Sequence, residues 1–519
     1  MDTKALRQKI LDLAIRGKLV PQDPNDEPAE VLLERIREQK QQMFKEGKLK
    51  KKDIKNDTII FKGEDNLHYE KFADGTVKCM EDEIPFEVPE GWAWCKLNDI
   101  YNFIDYRGAT PTKITNGIPL VTAKNVKSGY IDYTIDDYIS EEEFKERQQR
   151  GISKKGDILF TTEAPLGNAA LADMEKFSAG QRLITFQQYG SKNELINYVM
   201  LMFILSDFFQ QQLYVNKTGS TVAGIKAAIL KTLWIPVPPY NEQLRISNTL
   251  KSAINLIDSI SKNKEILSTS ISNTKSKILD LAIRGKIVPQ DPNDEPASVL
   301  LERIRAEKEE LIKQGKIKRD KKESVIFKGD DNSYYEKIGN KVNCIDEEIP
   351  FELSEGWAFI RLKTAWELIS GRDLSPSEYN DKNDGIPYIT GASNFRNGHI
   401  SLVRWTTVPQ VITRRGDLLL TCKGTIGEIA HNNFGVAHIA RQIMAIRNIY
   451  SLNVDFLALC IEYSMTKIKQ AANGLIPGIS REDILNLVIP IPPTKEQENI
   501  CNKLKATFSA IEHIEKSLN

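Results

Sequence analysis

The sequence predicts an α+β protein in which two globules are separated by long antiparallel helices, arranged as a pseudo-two-fold circular repeat. Three observations predict it. Residues 9–37 and 277–305 are near-copies, matching at 27 of 29 positions and differing only at Leu19/Ile287 and Glu30/Ser298. The stretch after each copy has diverged, roughly over 91–239 and 356–493, while keeping a common frame. Between the two lies Asn241–Arg284, 44 residues with neither proline nor glycine.

The common frame is carried by short paired motifs. Phe61-Lys62-Gly63 pairs with Phe327-Lys328-Gly329, Glu83–Glu87 with Glu348–Glu352, and Gly91-Trp92-Ala93 with Gly356-Trp357-Ala358. Gly117-Ile118-Pro119 pairs with Gly385-Ile386-Pro387, and Gly156–Leu159 with Gly416–Leu419. Near the end of each unit, Ile235–Pro239 followed by Glu242-Gln243 matches Ile489–Pro493 followed by Glu496-Gln497. Neutral drift after duplication does not explain one segment kept almost intact beside another scrambled. One fold doing two different recognition tasks does. The partition is 1–90 (helical segment and hairpin), 91–240 (first globule), 241–355 (central helical spacer and hairpin), 356–493 (second globule) and 494–519 (terminal helix).

Asn25-Asp26-Glu27-Pro28 predicts a helix start, with a capping side chain and proline in the first turn. Leu32 and Ile36 then share a face, and Gly47 ends the helix; its twin runs from Pro296 to Gly315. Tyr69–Cys79, with Asp74-Gly75 inside it, predicts a hairpin, as does the twin with Gly339-Asn340. In the diverged stretches Ile118–Ala123, Asp157–Thr162, Leu183–Phe186, Leu418–Cys422 and Ile443–Ile446 read as strands, and Leu195–Tyr214 and Val454–Ala471 as helices. The central span carries a seam of Leu244, Leu250, Ile254, Ile257, Ile271, Ile278 and Leu281. As one helix it would be about 65 Å long, too long to bury in one small domain. Segments 495–519 and 1–16 together mimic this span, which predicts that the two ends of the chain supply its helical partner.

Composition excludes several classes. No run approaches the roughly 18 apolar residues of a membrane span, and the first residues lack the layout of a signal peptide. The cysteines (Cys79, Cys95, Cys344, Cys422, Cys460, Cys501) form no C-x-x-C pair, so no zinc or redox motif is signalled, and a reducing cytoplasm is the expected setting. His68, His399, His431, His438 and His513 show no ligand spacing. The 71 basic and 71 acidic residues cancel, so any attraction to nucleic acid must be local.

This organisation resembles the specificity subunit of type I restriction–modification enzymes, over essentially the whole chain. The segments that carry the resemblance are Asp12–Ala29 with its twin Asp280–Ala297, Glu83–Trp94 with its twin from Glu348, and the paired ends Ile235–Gln243 and Ile489–Gln497. The resemblance implies that the globules are target-recognition domains, each reading one half of a split, asymmetric site in double-stranded DNA. It implies that the helices set the gap and dock two methyltransferase subunits, and that two nuclease–translocase subunits complete the complex. No cofactor is expected in this chain; the partner subunits would use S-adenosylmethionine, ATP and Mg. Two other readings stay open: a protein-interaction scaffold that does not bind DNA, and the specificity subunit of a related methylation-only system.

The diverged stretches carry 16 basic against 15 acidic residues in 91–239, and 14 against 11 in 356–493, nine of the 14 being arginine. The bias is small, but phosphate contacts need only a stripe of cations. Candidate DNA contacts in the first globule are Arg107, Thr110, Lys113, Lys124, Asn125, Thr161, Thr162, Arg182, Lys217, Ser220, Thr221 and Lys226. In the second they are Arg372, Ser375, Ser393, Asn394, Arg396, Arg414, Arg415, Thr421, Lys423, Arg441 and Ser480. Arginine and lysine suit guanine or phosphate, and asparagine suits adenine. Arg182 and Arg441 read as matched positions before apolar strands. Trp92 and Trp357 read as core anchors rather than stacking platforms, and the basic runs Lys48–Lys52 and Lys316–Lys322 as solvated helix ends.

Catalytic readings fail on chemistry. Val237-Pro238-Pro239-Tyr240 echoes an amino-methyltransferase motif, but valine cannot accept the hydrogen bond that the first position must make; Ile491 in the twin cannot either. Asp26 with Glu38 and Lys40 faintly resembles a nuclease set, yet the twin has Ala306 in place of Glu38. Gly17-Lys18 and Gly285-Lys286 are not followed by Ser or Thr, so no phosphate-binding loop is present. The chain is therefore expected to be non-catalytic.

Overall fold

Each near-identical segment folds the same way twice. The computed structural model describes every residue except 1, 55–56, 107–109, 190–193, 220–222, 318, 320–322, 397, 451, 472–477 and 519. Its two compact units, Met1–Lys264 and Glu265–Asn519, repeat a helix, a three-stranded meander and a four-stranded sheet in the same order.

Helix Thr3–Ile15 closes at Gly17, whose φ of +65° lets the Lys18 amide reach back to the Leu13 carbonyl at 2.8 Å. The same residues end the long helix Tyr240–Ile283 at Gly285, with φ +68°. Both glycines are also forced by contact. A Cβ on Gly17 would lie 2.3 Å from Pro89 Cγ, and one on Gly285 would lie 2.8 Å from the Trp357 ring. Helices Ala29–Lys45 and Ala297–Lys313 come after them. Here the expected capping side chain is absent: Pro28 and Pro296 themselves hold the N-cap position. The first amides are satisfied by backbone instead, Ala29 donating to the Gly91 carbonyl and Ala297 to Gly356, both at 2.8 Å. Asn25 closes a local turn on Asp23, and Asp26 pairs with Arg245.

Three-stranded antiparallel meanders come next, Ile59–Lys62, His68–Lys71 and Val77–Cys79 in the first unit, and Ser324–Lys328, Tyr334–Ile338 and Lys341–Cys344 in the second. Each is pinned by a buried acid on its middle strand: Glu70 to Lys96, and Glu336 to Arg361 at 2.8 Å. A buried acid needs such a partner to remain charged.

The globules then repeat one sheet plan. In the first, Tyr101–Asp105, Leu183–Gln188, Ile158–Thr162 and Leu166–Leu171 form a four-stranded antiparallel sheet in that spatial order. In the second, Trp366–Ser370, Ile443–Asn448, Leu418–Thr421 and Ile429–His431 do the same. A smaller sheet lies beside each, with one parallel pair, Ile118–Val121 with Ser178–Ala179 and Ile386–Ile389 with Ala437–Ile439. One predicted helix divides: Leu195–Tyr214 becomes Asn197–Ile204 and Asp207–Val215, because Ser206 caps the second piece by accepting from the Phe209 amide. Val454–Ala471 is continuous.

Strands Ala93–Lys96 and Trp234–Val237 pair antiparallel and lead into the long helix; Ala358–Arg361 and Val488–Ile491 lead likewise into helix Thr494–Leu518. Within the first unit the long helix buries Ile246, Leu250, Ile254 and Ile257, while Leu244 is 44% exposed and leaves the seam. Helix Thr3–Ile15 runs antiparallel to it, tied by the Arg7–Asp258 ion pair. Within the second unit Ile271, Leu279, Ala282 and Ile283 are buried, and Thr494–Leu518 runs antiparallel, with Lys275 2.7 Å from Glu515. Both ends of the chain therefore lie along the central helix, each in its own unit.

The paired motifs converge where globule meets helix. The indole of Trp92 donates to Glu242 at 2.9 Å, and that of Trp357 to Glu496 at 3.0 Å. Gln243 and Gln497 donate to the Pro238 and Pro492 carbonyls, both at 2.9 Å. Burial raises the Glu242 and Glu496 carboxyls, and the indole bonds oppose that rise. Trp92→Phe is expected to lower the stability of the first unit by about 1–3 kcal/mol, and Trp357→Phe that of the second. Urea midpoints at unchanged slope would check both.

A second equivalent pair differs in charge. Asp417 is bound by Arg447 at 2.9 Å, whereas Asp157 has Gln187 in the same register, at 2.8 Å. Burial pushes Asp157 up to about 6. The folded chain therefore holds this proton above the pH at which the unfolded chain, near 4, releases it. Its contribution is full below about pH 4 and is lost as pH rises through 6, costing about 3 kcal/mol by pH 7. Gln187→Arg is expected to flatten this dependence and to stabilise the first unit by about 1–3 kcal/mol at pH 7. Urea titrations of variant and parent at pH 4.5 and 7.5 measure the difference.

Candidate nucleic-acid interface

The four-stranded sheet of each globule has one end that gathers polar loops. In the first globule this tip is defined by the Thr162 amide donating to the Arg182 carbonyl at 3.1 Å and the Ile225 amide donating to Thr162 at 3.0 Å. In the second, the Cys422 amide donates to Gln442 at 2.8 Å and Ile479 to Cys422 at 2.9 Å.

These bonds also set the alignment. Arg182 is equivalent to Gln442, and Gln181 to Arg441. The expectation that the two arginines match is off by one residue: the first globule presents Gln-Arg where the second presents Arg-Gln.

Several candidates meet at the tips. Arg182 is half exposed and lies 3.2 Å from Glu163. Thr110 donates to Gln181 at 2.8 Å. Lys217 is exposed beside the Tyr214 ring, and Lys226 is exposed at the start of helix Ala227–Leu230. In the second globule Arg441 lies 2.7 Å from Asp373, and Arg372 and Lys423 are exposed. His438, fully buried, donates to the Arg372 carbonyl at 2.8 Å and accepts from the Val411 amide, which holds that loop in place. Burial lowers the pKa of His438. Ser393 is exposed on a loop whose Gly391 lies against Gln442.

Other candidates are committed to the fold: the asparagines and threonines are buried, and the serines, which are exposed, cap local turns. Asn125 is 3% exposed; it accepts from the Thr122 amide and hydroxyl and donates to the Asp132 and Ile135 carbonyls. Asn394 is its counterpart, bonded to Thr390, Gly391 and Ser401. Thr161 and Thr421 are buried and receive the Asn168 and Glu428 amides; buried Thr162 donates to the Arg182 carbonyl. Ser480 caps helix Arg481–Leu485, and Ser375 a short turn with Glu378. Asparagine and threonine in a loop satisfy backbone as readily as base edges, so sequence alone does not separate the two.

The remaining candidates stand elsewhere. Lys113 pairs with Asp137 at 2.7 Å, and Lys124 is exposed after strand Ile118–Val121. Arg396 sits exposed on the hairpin Phe395–Ile400. Arg414 and Arg415 are exposed in the turn before Leu418–Thr421, at the opposite end of the sheet from the tip. Arg107, Ser220 and Thr221 lie outside the described residues. Sequence reading missed Glu163, Asp373, Gln181, Gln442 and Arg481, which reaches Ser370 at 3.2 Å. The Gln-Arg and Arg-Gln dipeptides before aligned apolar strands were the available signal. Trp92 and Trp357 are buried, at 7% and 9%. Among the described residues no cluster could hold a metal ion, and no helix is long and apolar enough to cross a membrane.

Asn125→Ala and Asn394→Ala are each expected to destabilise their globule by about 2–4 kcal/mol, since each strands several buried groups. Thermal unfolding would check this.

The family model of the type I restriction modification DNA specificity domain matches residues 89–268 and 354–519. The chain is 27% identical to the specificity subunit of the Escherichia coli type I restriction enzyme EcoAI, over 97% of this chain and 90% of that one. It is 26% identical to the EcoEI specificity subunit of the same organism, over 99% and 90%. Among solved structures it is similar to a chain described under the structural basis of complex assembly and conformational transition of the type I R-M system. That match has a TM-score of 0.56 and 19% identity, covering 84% of this chain and 94% of that one.

Proposed function

The chain belongs to the family of type I restriction modification DNA specificity domains, and from that premise we propose that it is the sequence-reading subunit of a type I restriction–modification complex. Each globule reads one half of a split, asymmetric site in double-stranded DNA. The observation that carries this reading is the contrast between scaffold and tip. The junctions around Trp92 and Trp357 repeat residue by residue, while the exposed side chains at the equivalent sheet ends differ. Identical halves would read a palindrome; halves that share a frame and differ at the tips read two different half-sites.

The helices set the gap between half-sites and dock two methyltransferase subunits, and two nuclease–translocase subunits complete the complex. The chain supplies recognition and leaves the chemistry to those partners, which use S-adenosylmethionine, ATP and Mg. DNA inside a cell places the complex in the cytoplasm.

Methylation mapping in a host without other methyltransferases, with this chain and its partner methyltransferase expressed together, tests the reading. A split asymmetric motif that needs both proteins is the expected result; no motif from an intact complex would sink it. Inserting four helical residues near position 264 lengthens the spacer by about 6 Å. At about 3.4 Å per base pair, the gap in the motif is expected to grow by about two base pairs while both half-sites stay the same.

A further inference from the structure

We propose that the arginine–carboxylate pair at each sheet tip, Arg182 with Glu163 and Arg441 with Asp373, reads a G·C base pair in its half-site. The inference rests on the DNA-reading function above and names the side chains that perform part of it.

Inheritance does not explain the two pairs. By strand register Arg182 is equivalent to Gln442, Arg441 to Gln181, and Glu163 to Lys423. Glu163 comes directly after strand Ile158–Thr162, whereas Asp373 comes after strand Trp366–Ser370. The same two charged groups stand at the same end of the sheet, but the acids come from strands on opposite sides of the equivalent central strand. Asp373 also accepts the Arg441 amide at 3.0 Å, which holds its loop, but the stability of the ion pairs does not explain them. The side chains are 51% and 46% exposed in the first pair and 68% and 44% in the second, and ion pairs this open to water contribute little to folding.

The chemistry of a base edge does explain them. In the major groove a G·C pair presents two acceptors on guanine, N7 and O6, and one donor on cytosine, the N4 amino group. A guanidinium donates to the first two, and a carboxylate beside it accepts from the third. In both tips the carboxylate lies against Nε of the arginine, at 3.2 and 2.7 Å. It therefore orients the planar fork and leaves the terminal nitrogens for guanine. At a phosphate the carboxylate would add repulsion, whereas at a G·C pair it meets the cytosine amino donor. The neighbouring Gln181 and Gln442 carry amides suited to adenine. Because Gln-Arg in one tip becomes Arg-Gln in the other, the guanidinium leaves the turn before the strand from a different residue in each globule, and the two half-sites differ.

The test uses the complex of the full chain with its methyltransferase, methylation mapping, and DNA binding at several salt concentrations. The parent motif is expected to contain a G·C pair in each half. Arg182→Gln is expected to relax one G·C position in one half-site, lowering discrimination there by roughly 10- to 100-fold, and to leave the other half unchanged. Arg441→Gln should do the converse. Glu163→Gln and Asp373→Asn, which keep the shape and remove the charge, should relax the same positions as their arginine partners. Unchanged base preference in the arginine variants would overturn the inference. So would equal loss on all sequences with a log-salt slope shallower by about one, the signature of a phosphate contact. A parent complex that yields no split motif would count against the DNA-reading function itself, so the two failures are distinguishable. Unchanged melting of the exposed-residue variants separates a reading defect from a folding defect.

Discussion

The hydrogen bond from a buried indole to a buried glutamate, Trp92 to Glu242 and Trp357 to Glu496, is the joint on which each unit is built. A carboxylate placed where water is excluded needs a donor, and the indole N–H is a donor that brings a large apolar body with it. That requirement fixes the start of the helix relative to the first strand of the globule. The glycines Gly17 and Gly285 press against the same place, and the Gly91 and Gly356 carbonyls cap the next helix from the other side. Most of the motifs that repeat without change therefore serve one junction, made twice.

With the junction held, the surface beyond it is free to vary. The four-stranded sheets repeat strand for strand, and Asn125 and Asn394 pin equivalent loops beside them. Substitution is tolerated where side chains leave the core at the tips. Glu163 faces Lys423 in the alignment of the two globules, and Gln-Arg faces Arg-Gln. Small internal differences of the same kind, such as Gln187 against Arg447, change the charge balance of a buried aspartate without changing the sheet. One scaffold thus carries two chemically distinct tips.

The polar candidates divide according to a rule that loop sequence does not contain. Asn125, Asn394, Thr161, Thr162 and Thr421 look like base readers by residue type, and each spends its hydrogen bonds on backbone. Arg182, Arg372 and Arg441 reach the tips as arginine should, because a guanidinium resists burial without a partner. Their acidic partners were not legible. Glu163 and Asp373 come from different strands, and only register brings them beside the arginines.

By itself the sequence determined the duplication, the two-globule plan, the long central helix with the chain ends laid along it, and membership in a family that reads DNA. These arise from local rules: repeat identity, the absence of helix breakers over Asn241–Arg284, apolar periodicity, and glycine where φ must be positive. Tertiary structure alone decided where each loop side chain points, which strand residues are equivalent across the repeat, and which charges meet at the tips. Those depend on strand register and on the packing of segments far apart in the sequence, such as Arg441 against Asp373. Hydrophobic pattern sets which face of a strand is buried, but it leaves open which neighbour a half-exposed charge will find.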